Sequence, residues 1–389
     1  MEYVQDGVTT LHDFGAAPPS VPTDRAAVVV PMTEREYRSP AAERVLSTLE
    51  SLAVERVVVP LRAEATDVES VRTWLSSFDV PVEVLWCDGP RLGSLLGEAG
   101  LNGTRGKGRD VWLALGLASR SEHVVVHDAD ARGYDDRHVR KLLYPLVHGH
   151  EFSKAYYARV EDDRLYGRLF RLFYRPLVEA LADGEGATPS VLEYLDAFRY
   201  ALAGEFALSG ALARRMHVQR GWGLEVGTLG EAFRLVGTDG SAQVDLGVHE
   251  HDHRSVSGPA GLSDMSEQVG RALFQALEDN GADPDYDGLE DRYRDAARRL
   301  VDAYELDASF NGLGYDRTDE LRQVDAYAGA VRPPGEDARL PPWVEAPIDP
   351  AEIAAAAGAD LEAVVEASGG DGAGTVDTMD TVDVPSDAC

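Results

Sequence analysis

The sequence predicts an α/β fold in which a mostly parallel, doubly wound sheet is followed by a helix-rich half. Four short valine-rich runs are each bounded by polar or turn residues, a pattern typical of strands buried on both faces of a parallel sheet. Amphipathic helical patterns separate these runs, so strand and helix alternate along the chain. With 389 residues, the chain is long enough for one large core with extra segments.

The alternation fills the first part of the chain. We predict strands at 26–31, 55–60, 81–86 and 122–127, and helices at 40–52, 67–77 and 107–119. Strand, helix, strand units of one sheet cross over with the same right hand almost without exception. These elements therefore predict a Rossmann-like half of the kind that binds nucleotides.

After residue 135 the pattern is mostly helical. Helices are predicted at 136–149, 165–183, 188–202, 209–217, 225–236, 264–279 and 285–308, with extended segments at 152–160 and 242–248. From residue 332 onward Pro, Ala, Gly and Asp prevail, and too few apolar side chains remain to offset the entropy of ordering the chain. We therefore expect residues 332–389 to be largely disordered.

The chain is strongly acidic, with 68 Asp and Glu against 37 Lys and Arg and a formal net charge of -31. A field of this sign repels phosphate, which argues against DNA or an anionic membrane as a partner. Lys107, Lys141 and Lys154 are its three lysines. Because ions screen self-repulsion, such a surface suits a salt-rich interior, and we expect a halophilic source. A GC-rich genome explains the preference for arginine but not the whole acidic excess.

Cysteines and targeting features are sparse. Neither Cys87 nor Cys389 has a second cysteine nearby, so the sequence predicts no disulfide framework and no cysteine metal site. The first residues lack a basic segment followed by an apolar one, and no apolar stretch reaches the roughly 18 residues of a membrane span. We therefore expect a soluble, cytoplasmic protein.

Two aspartates follow the strand predicted at 122–127. Asp128 and Asp130 are two residues apart, so an extended chain places both carboxylates on one side. Open α/β sheets bind ligands at the carboxyl ends of their strands, and two hard oxygen ligands suit Mg²⁺ or Mn²⁺ bridging a diphosphate. A solvated turn is the alternative, since aspartate is common at strand ends. The preceding strand and helix units favour the metal.

Positive charge is concentrated in two segments. Lys107 lies between two glycines at the start of a predicted helix, where backbone amides attract anions. The segment 154–177 carries Lys154 and several arginines, which can pair with the carboxylate or phosphate of a small substrate. Salt bridges to the abundant acidic residues explain the arginines equally well. These arginines are Arg159, Arg168, Arg171 and Arg175.

A histidine-rich segment follows the strand predicted at 242–248. His249, His251 and His253 alternate with acidic residues, and one of them can complete a cation site whose other ligands are carboxylates. A loop without metal is an equally good interpretation. Glu205 and Glu225 stand beside glycines, which allow either a close approach of the backbone to a ligand or tight helix packing.

Taken in order, these motifs resemble those of the glucosyl-3-phosphoglycerate synthases, which are glycosyltransferases with a GT-A fold. The resemblance covers about residues 26–280. It rests on Pro31 and Glu34 after the first strand, G-K-G at 106–108, D-A-D at 128–130, Lys154 to Arg159, GRLFRLFYRPL, GEFALSG, GWGLEVG and QVDLGVHEH. Each motif alone is unspecific, but the ordered series is hard to assemble by chance.

The resemblance implies a metal-dependent, retaining transfer of a hexose, usually glucose, from an NDP-sugar to 3-phosphoglycerate or a similar small anionic acceptor. The cofactor implied is Mg²⁺ or Mn²⁺. The site residues implied are Asp130, His251 and Asp128 at the metal; Pro31, Glu34, Lys107 and Asp128 at the NDP-sugar; Lys154, Gly167, Arg168 and His253 at the acceptor; and Glu205 and Glu225 at the reaction centre. The family also tends to form homodimers.

The sequence pattern and the resemblance together divide the chain into five parts. These are an N-terminal extension at 1–25, a nucleotide-sugar-binding half at 26–135, an acceptor-binding half at 136–260, C-terminal helices at 261–331 and the tail at 332–389.

The chain departs from the family at both substrates. Leu61 and Arg62 stand where an acidic residue and a serine usually contact the uridine. The base of the donor nucleotide is therefore not decided, and GDP is an alternative to UDP. Phe170 replaces a small hydroxyl residue and His253 an amide, so the acceptor is open too. The alternatives are transfer to another acceptor, such as a polyprenyl phosphate, and a catalytically silent protein that binds an NDP-sugar.

Overall fold

Nine strands form one central sheet within the part of the chain that a computed structural model describes. These residues are 4–184, 188–248, 250 and 259–370, with the backbone alone at 259–263 and 368–370. The strands in chain order are β1 (Thr9–Leu11), β2 (Ala26–Val29), β3 (Met32–Thr33), β4 (Arg56–Arg62), β5 (Val82–Trp86), β6 (His123–Val126), β7 (Phe152–Ala158), β8 (Val160–Glu161), β9 (Arg164–Leu165), β10 (Phe206–Ser209) and β11 (Ser241–Val248). β8 and β9 form a separate hairpin.

The α-helices pack on the sheet and on one another. In chain order they are α1 (Pro40–Glu50), α2 (Ala65–Leu75), α3 (Pro90–Glu98), α4 (Lys107–Ala118), α5 (Asp136–Val147), α6 (Arg175–Ala182), α7 (Ser190–Ala197), α8 (Gly210–Ala213), α9 (Leu224–Val236), α10 (Pro259–Asp279), α11 (Leu289–Asn311), α12 (Arg317–Ala328) and α13 (Pro350–Gly370). Among the helices described, none has both the length and the apolar character needed to cross a bilayer.

The sheet is mostly parallel. Its strand order is β1, β11, β7, β10, β6, β2, β4, and both β3 and β5 pair with β4. Strand β10 is antiparallel to β6 and β7, whereas the other pairings described in this sheet are parallel. The predicted α/β class is therefore confirmed. The four predicted valine-rich strands are β2, β4, β5 and β6, and valines such as Val28, Val58 and Val125 are fully buried between the helix layers.

Strand β10 brings a new segment to the carboxyl edge of the sheet. Phe206 pairs with Val126 of β6 and with Lys154 of β7. Because β10 is antiparallel to β6, its first residue lies beside the last residue of β6, and Glu205 therefore lies beside the residues that follow β6. The sequence pattern does not predict β10, since four residues are too few to show strand periodicity.

The helix predicted at 165–183 is interrupted in the structure. Its first residue, Leu165, belongs to β9, a π-helix spans Phe170–Tyr174, and α6 begins only at Arg175. Pro176 has no N–H to donate to the carbonyl of Leu172, and that carbonyl instead accepts a 2.7 Å hydrogen bond from the hydroxyl of Tyr293. The proline therefore accounts for the wider π-helical turn that precedes it.

The other predicted helices agree with the structure to different degrees. Helices α1, α2 and α4 lie within two residues of the predicted bounds. Helices α7 and α8 are shorter than predicted, and α3 is not predicted because Gly93 and Gly97 weaken the helical pattern.

The expectation of disorder from residue 332 is wrong for residues 332–370. Helix α13 packs against α2, α3, α4 and β5, and the chain leading to it buries Leu340, Trp343 and Ile348. The averaged composition conceals these widely spaced anchors, and the alanine-rich run at 350–361 has high helix propensity. Residues 371–389 lie outside the described part.

Candidate active site

A pair of aspartates lies at the carboxyl edge of the sheet, directly after β6. Asp128 is half-buried, with a side chain 24% exposed. Asp130 Oδ1 is buried and has no hydrogen-bond partner among the residues described. Burial, together with the negative charge of Asp128, raises the pKa of Asp130 to about 7. An ionised carboxylate is therefore costly here unless a cation joins it.

Lys107 lies against this pair. Its ammonium Nζ is 2.6 Å from Asp128 Oδ1 and 3.2 Å from Glu225 Oε1, where Glu225 lies in the first turn of α9. Burial alone would lower the pKa of Lys107, but the charges of Asp128 and Glu225 outweigh it and raise that pKa. Lys107 is therefore a permanent positive charge between two carboxylates.

The glycines beside Lys107 serve packing. A Cβ on Gly108 would lie 1.8 Å from the carbonyl oxygen of Gln219, and one on Gly106 would lie 2.7 Å from that of Arg220. The amide of Arg109 also donates to the Arg220 carbonyl, at 2.9 Å. The start of α4 can therefore lie directly on the segment that leads into α9, which brings Lys107 to Glu225.

Two further charged residues, Glu205 and Lys154, lie close enough to Lys107 to interact with it electrostatically. Both side chains are buried, and Lys154 Nζ donates a 2.5 Å hydrogen bond to the carbonyl of Ala203. Burial lowers the pKa of Lys154 to about 8, against the opposing effect of Glu225 and Glu205. Lys154, which we predict to contact the acceptor, is thus held by a backbone carbonyl, and the negative charges of Glu225 and Glu205 act on it.

The predicted metal site is described in part. Asp128 and Asp130 are both at the expected place, whereas His251, the third predicted ligand, lies outside the described residues, as do His249 and His253. Within the described ranges no group of three His, Cys, Asp or Glu side chains is arranged to hold a metal ion. The buried oxygen of Asp130 without a partner nevertheless fits a hard cation that takes oxygen ligands.

Pro31 and Glu34 follow β2, the neighbour of β6 in the sheet. Pro31 links β2 to β3, and Glu34 begins a 3-10 helix at Glu34–Glu36. Thr33 caps this helix, and the amide of Thr33 donates a 2.6 Å hydrogen bond to Glu36 Oε2. Because β2 and β6 are parallel neighbours, these residues lie at the same edge of the sheet as the aspartates.

A second charged cluster, which sequence reasoning missed, lies at the ends of β4 and β5. Asp110 Oδ2 is 2.9 Å from Arg62 Nε, and Asp110 Oδ1 is 3.0 Å from Arg109 Nη2. Arg109 also contacts Asp88 at 3.2 Å. Asp88 follows β5 as Asp128 follows β6, so the strand-end rule that identified Asp128 would have identified Asp88 as well.

The predicted acceptor residues Gly167 and Arg168 follow strand β9. Gly167 has a φ of 76°, which favours glycine. Arg168 is bound by α12, with Nη2 2.7 Å from Asp319 Oδ2 and Nε 2.9 Å from Glu320 Oε1. Salt bridges, the alternative interpretation of this arginine-rich segment, are therefore present, and Arg171 also pairs with Glu320.

Comparisons with known proteins agree on one family. No protein-family model matches the chain. The glucosyl-3-phosphoglycerate synthase of Methanococcoides burtonii is 33% identical over 380 residues, which cover 89% of this chain and 94% of that protein. The glucosyl-3-phosphoglycerate synthase of Persephonella marina is 35% identical over 323 residues, covering 78% of this chain and 80% of that protein.

Solved structures share the fold. The Mycobacterium tuberculosis glucosyl-3-phosphoglycerate synthase, in complex with Mn²⁺, UDP and phosphoglyceric acid, has a TM-score of 0.53 and 26% identity, covering 72% of this chain and 87% of that chain. Mannosyl-3-phosphoglycerate synthase from Rubrobacter xylanophilus has a TM-score of 0.51 and 26% identity, covering 66% and 74%. By its identity over most of its length to the first two relatives, the chain belongs to the glucosyl-3-phosphoglycerate synthase family.

Proposed function

We propose that the chain is a metal-dependent, retaining glycosyltransferase that moves glucose from an NDP-glucose to the 2-hydroxyl of 3-phosphoglycerate. Its family membership and the mostly parallel α/β fold support this activity. One observation carries the proposal: Asp128, Lys107 and Glu225 converge beside a buried Asp130 oxygen that has no partner among the described residues. Such a cluster suits a ligand that brings both a cation and negative charge.

Asp130 and Asp128, with His251, would hold Mg²⁺ or Mn²⁺. Oxygen ligands with one imidazole suit these ions. A cation bound there supplies Lewis-acid stabilisation of the departing nucleoside diphosphate. The M. tuberculosis relative has been solved with Mn²⁺ or Mg²⁺ together with UDP. The D-A-D motif at 128–130 is thus proposed as the DxD motif of this enzyme.

Donor contacts are proposed for Lys107, Pro31 and Glu34. The ammonium of Lys107 lies 2.6 Å from Asp128 and is placed to contact a diphosphate that reaches the aspartates. Pro31 and Glu34, which follow the neighbouring strand β2, would contact the nucleoside. Arg62 is paired with Asp110, and an arginine and a carboxylate together can recognise guanine, so GDP-glucose is a donor to test beside UDP-glucose.

Glu225 and Glu205 are proposed for the reaction centre. Retention follows either from attack on the same face as the leaving group or from a double displacement with a carboxylate nucleophile. We favour same-face attack through an oxocarbenium-like state, because Lys107 already engages Glu225 at 3.2 Å. A trapped glycosyl-enzyme on Glu225 would instead establish the double displacement.

We propose acceptor contacts for Lys154, Gly167, Arg168 and His253, of which Lys154 supplies a buried positive charge. A guanidinium binds phosphate bidentately. Arg168 is bound to Asp319 through Nη2, so the acceptor phosphate would replace that carboxylate.

The cellular setting is also a proposal. The net charge of -31 and the scarcity of lysine support a halophilic archaeal source, a cytoplasmic location and a product that serves as a compatible-solute precursor. A homodimer is proposed on the resemblance alone.

Acceptor-dependent release of the nucleoside diphosphate tests the proposed function. The purified protein is incubated in molar KCl with Mn²⁺ and either UDP-glucose or GDP-glucose, with and without 3-phosphoglycerate. We expect release only when donor, metal and acceptor are all present, with formation of glucosyl-3-phosphoglycerate. Release that does not depend on the acceptor, or donor binding without transfer, would contradict the proposal.

A further inference from the structure

Helix α13 contributes a buried carboxylate to the start of another helix. Asp360 is 1% exposed, and its oxygens accept 3.0 Å hydrogen bonds from the backbone amides of Arg91 and Leu92. These amides lie in the first turn of α3. That helix has no capping side chain of its own, because its N-cap is Gly89 and Pro90 lacks an N–H. Asp360 therefore caps α3 from a distant part of the chain.

The contact between α13 and this turn is tight. A Cβ on Gly89 would lie 2.2 Å from Asp360 Oδ2 and 2.9 Å from Asp360 Cβ. The guanidinium of Arg91 also donates a hydrogen bond to the carbonyl of Ala359. The turn that begins α3 is therefore fixed to α13 through both its backbone and a side chain.

This turn is linked directly to the segment that carries Lys107. Asp88, the residue before Gly89, places Oδ1 3.2 Å from Arg105 Nη1 and 3.2 Å from Arg109 Nη2. Arg109 Nη2 also donates a 2.8 Å hydrogen bond to the carbonyl of Cys87. Arg105 and Arg109 flank Lys107 by two residues on each side, so both sides of this segment are tied to residues 87–88.

We infer that Asp360 is a positioning residue for the donor side of the site. By fixing the turn at 88–91 it fixes Asp88, and through the two arginines it fixes the segment that presents Lys107 to Asp128 and Glu225. The inference rests on the proposed function, because Lys107 is a donor contact only in that function. Asp360 lies outside residues 26–280, where the motifs occur.

The C-terminal segment also holds α4 at a second place. The indole rings of Trp343 and Trp112 stack with centroids 4.1 Å apart. Trp343 Nε1 donates to the carbonyl of Trp112 at 2.8 Å, and Trp112 Nε1 donates to that of Pro341 at 2.7 Å. Helix α4 is thus held against the C-terminal segment, and Asp360 adds the restraint at the end that carries Lys107.

Steady-state kinetics of Asp360→Asn test the inference. Asparagine keeps the side-chain shape, but only one of its two terminal atoms accepts hydrogen bonds, so its NH₂ group replaces the oxygen that accepts from Arg91 and the negative charge at the start of α3 is lost. We expect the KM for the NDP-glucose to rise about 3- to 5-fold, which corresponds to a helix cap weakened by up to about 1 kcal/mol. The KM for 3-phosphoglycerate and kcat should change less than about 2-fold, a split that general destabilisation does not produce.

Asp349→Ala is the matched control. Asp349 is exposed and caps α13 itself, accepting a 2.7 Å hydrogen bond from the amide of Ala351. Its removal weakens the same helix without touching α3, so we expect a wild-type donor KM. An equal rise in donor KM for this variant would mean that Asp360 acts only through the stability of α13, and would overturn the inference.

A double-mutant cycle tests the route through Asp88. Asp88→Asn should raise the donor KM, and the double variant Asp88→Asn/Asp360→Asn should show no more than the larger single effect. Additive effects of the two substitutions on the donor KM would show that Asp360 does not act through Asp88. Should Asp360→Asn fail to fold, a wild-type donor KM for Asp88→Asn alone decides against the inference. An inactive wild-type protein would contradict the proposed function. If the wild type is active and Asp360→Asn has the same donor KM, only this inference is overturned.

Discussion

Arg168 is held by two carboxylates that differ in exposure. The side chain of Asp319 is 37% exposed, whereas that of Glu320 is 3% exposed and is shared with Arg171. The buried Glu320 fixes the direction of Arg168, because two guanidiniums hold it in place. The half-exposed Asp319 occupies Nη2, which an acceptor phosphate would need. The two carboxylates should therefore affect acceptor binding in opposite directions.

Asp319→Asn is expected to lower the KM for 3-phosphoglycerate by about 2- to 5-fold, because a half-exposed ion pair contributes roughly 0.2–1 kcal/mol. Glu320→Gln should raise the same KM, since it leaves Arg168 without its fixed partner. Initial rates at saturating donor measure both effects. Arg168→Gln serves as the reference. An unchanged KM for 3-phosphoglycerate in this variant would show that Arg168 does not bind the acceptor. A raised KM in Arg168→Gln, without a lowered KM in Asp319→Asn, would contradict only the idea that Asp319 competes with the acceptor for Arg168.

At the residue scale the sequence predicts the aspartates better than their partners. Asp128 and Asp130 were identifiable because a buried strand ends beside them, and the structure places them at the predicted edge. Glu225 could be named from the resemblance, but its 3.2 Å contact with Lys107 could not be predicted. That contact depends on Gly108 passing directly over the carbonyl of Gln219, and such close backbone approach leaves no periodic trace in a sequence.

Helix α9 carries Glu225 in its first turn and is anchored further along by Glu231. The carboxylate of Glu231 is buried and accepts 2.8 Å and 2.7 Å hydrogen bonds from the amide of His217 and from Arg234 Nη2. Burial alone would raise the pKa of Glu231, but hydrogen bonds from the His217 ring, from Arg234 and from the His217 amide outweigh it and lower the pKa to about 2. The folded state therefore favours the ionised form more than the unfolded chain does.

Glu231→Gln is expected to destabilise the protein by about 2–3 kcal/mol at pH 7. The stabilisation from Glu231 is present above its unfolded pKa of 4.5 and is lost as the pH falls toward about 2. The difference in the free energy of unfolding between variant and wild type should therefore shrink over that window. Urea titrations at several pH values measure it, and a difference that stays constant with pH would contradict this account of α9.

At the scale of elements, a helix or strand is predicted correctly where its hydrophobic pattern does not depend on its neighbours. Prediction fails where contacts with neighbouring elements determine the conformation. Strands β2, β4 and β6 show valine runs because both faces are buried, so their pattern does not depend on the partner. Strand β10 has four residues and becomes a strand only because β6 and β7 leave a gap between them. The π-helix at Phe170–Tyr174 likewise depends on Pro176 and on the hydroxyl of Tyr293, which lies on another helix.

The whole molecule combines a large negative charge with many surface ion pairs. The formal charge is -31, and arginines on α11 and α12, such as Arg298 and Arg317, pair with nearby exposed aspartates. Exposed pairs of this kind contribute little each, whereas the net charge repels itself across the whole surface. Salt should therefore stabilise the fold, because it screens the repulsion more than it weakens the pairs.

Thermal unfolding in KCl tests this balance. Between about 0.1 M and about 2 M KCl we expect the midpoint to rise by about 10 °C or more, which corresponds to a few kcal/mol. Sucrose at matched osmolarity is the control, since it favours the compact state without screening charge. A midpoint that is independent of KCl, or that rises equally in sucrose, would contradict the proposed adaptation to a salt-rich interior.

The C-terminal segment also shows where the fold exceeds its predicted extent. Composition alone predicts disorder from residue 332, yet Trp343 stacks on Trp112 and Asp360 caps α3. Both contacts join this segment to residues that lie more than 200 positions earlier in the chain, so no local pattern could reveal them. Helices α3 and α4 are therefore held in part by the C-terminal segment.

The central claim is that Asp130 and Asp128 hold a divalent cation that joins the donor's diphosphate to the protein. Calorimetric titration of UDP and GDP, with and without Mn²⁺, tests it most directly in the wild type, Asp130→Asn and the exposed control Asp239→Asn. We predict that Mn²⁺ tightens nucleotide binding at least about 10-fold in the wild type and the control but not in Asp130→Asn, because several kcal/mol of charge neutralisation is lost. An equal effect of Mn²⁺ on all three proteins would contradict the claim.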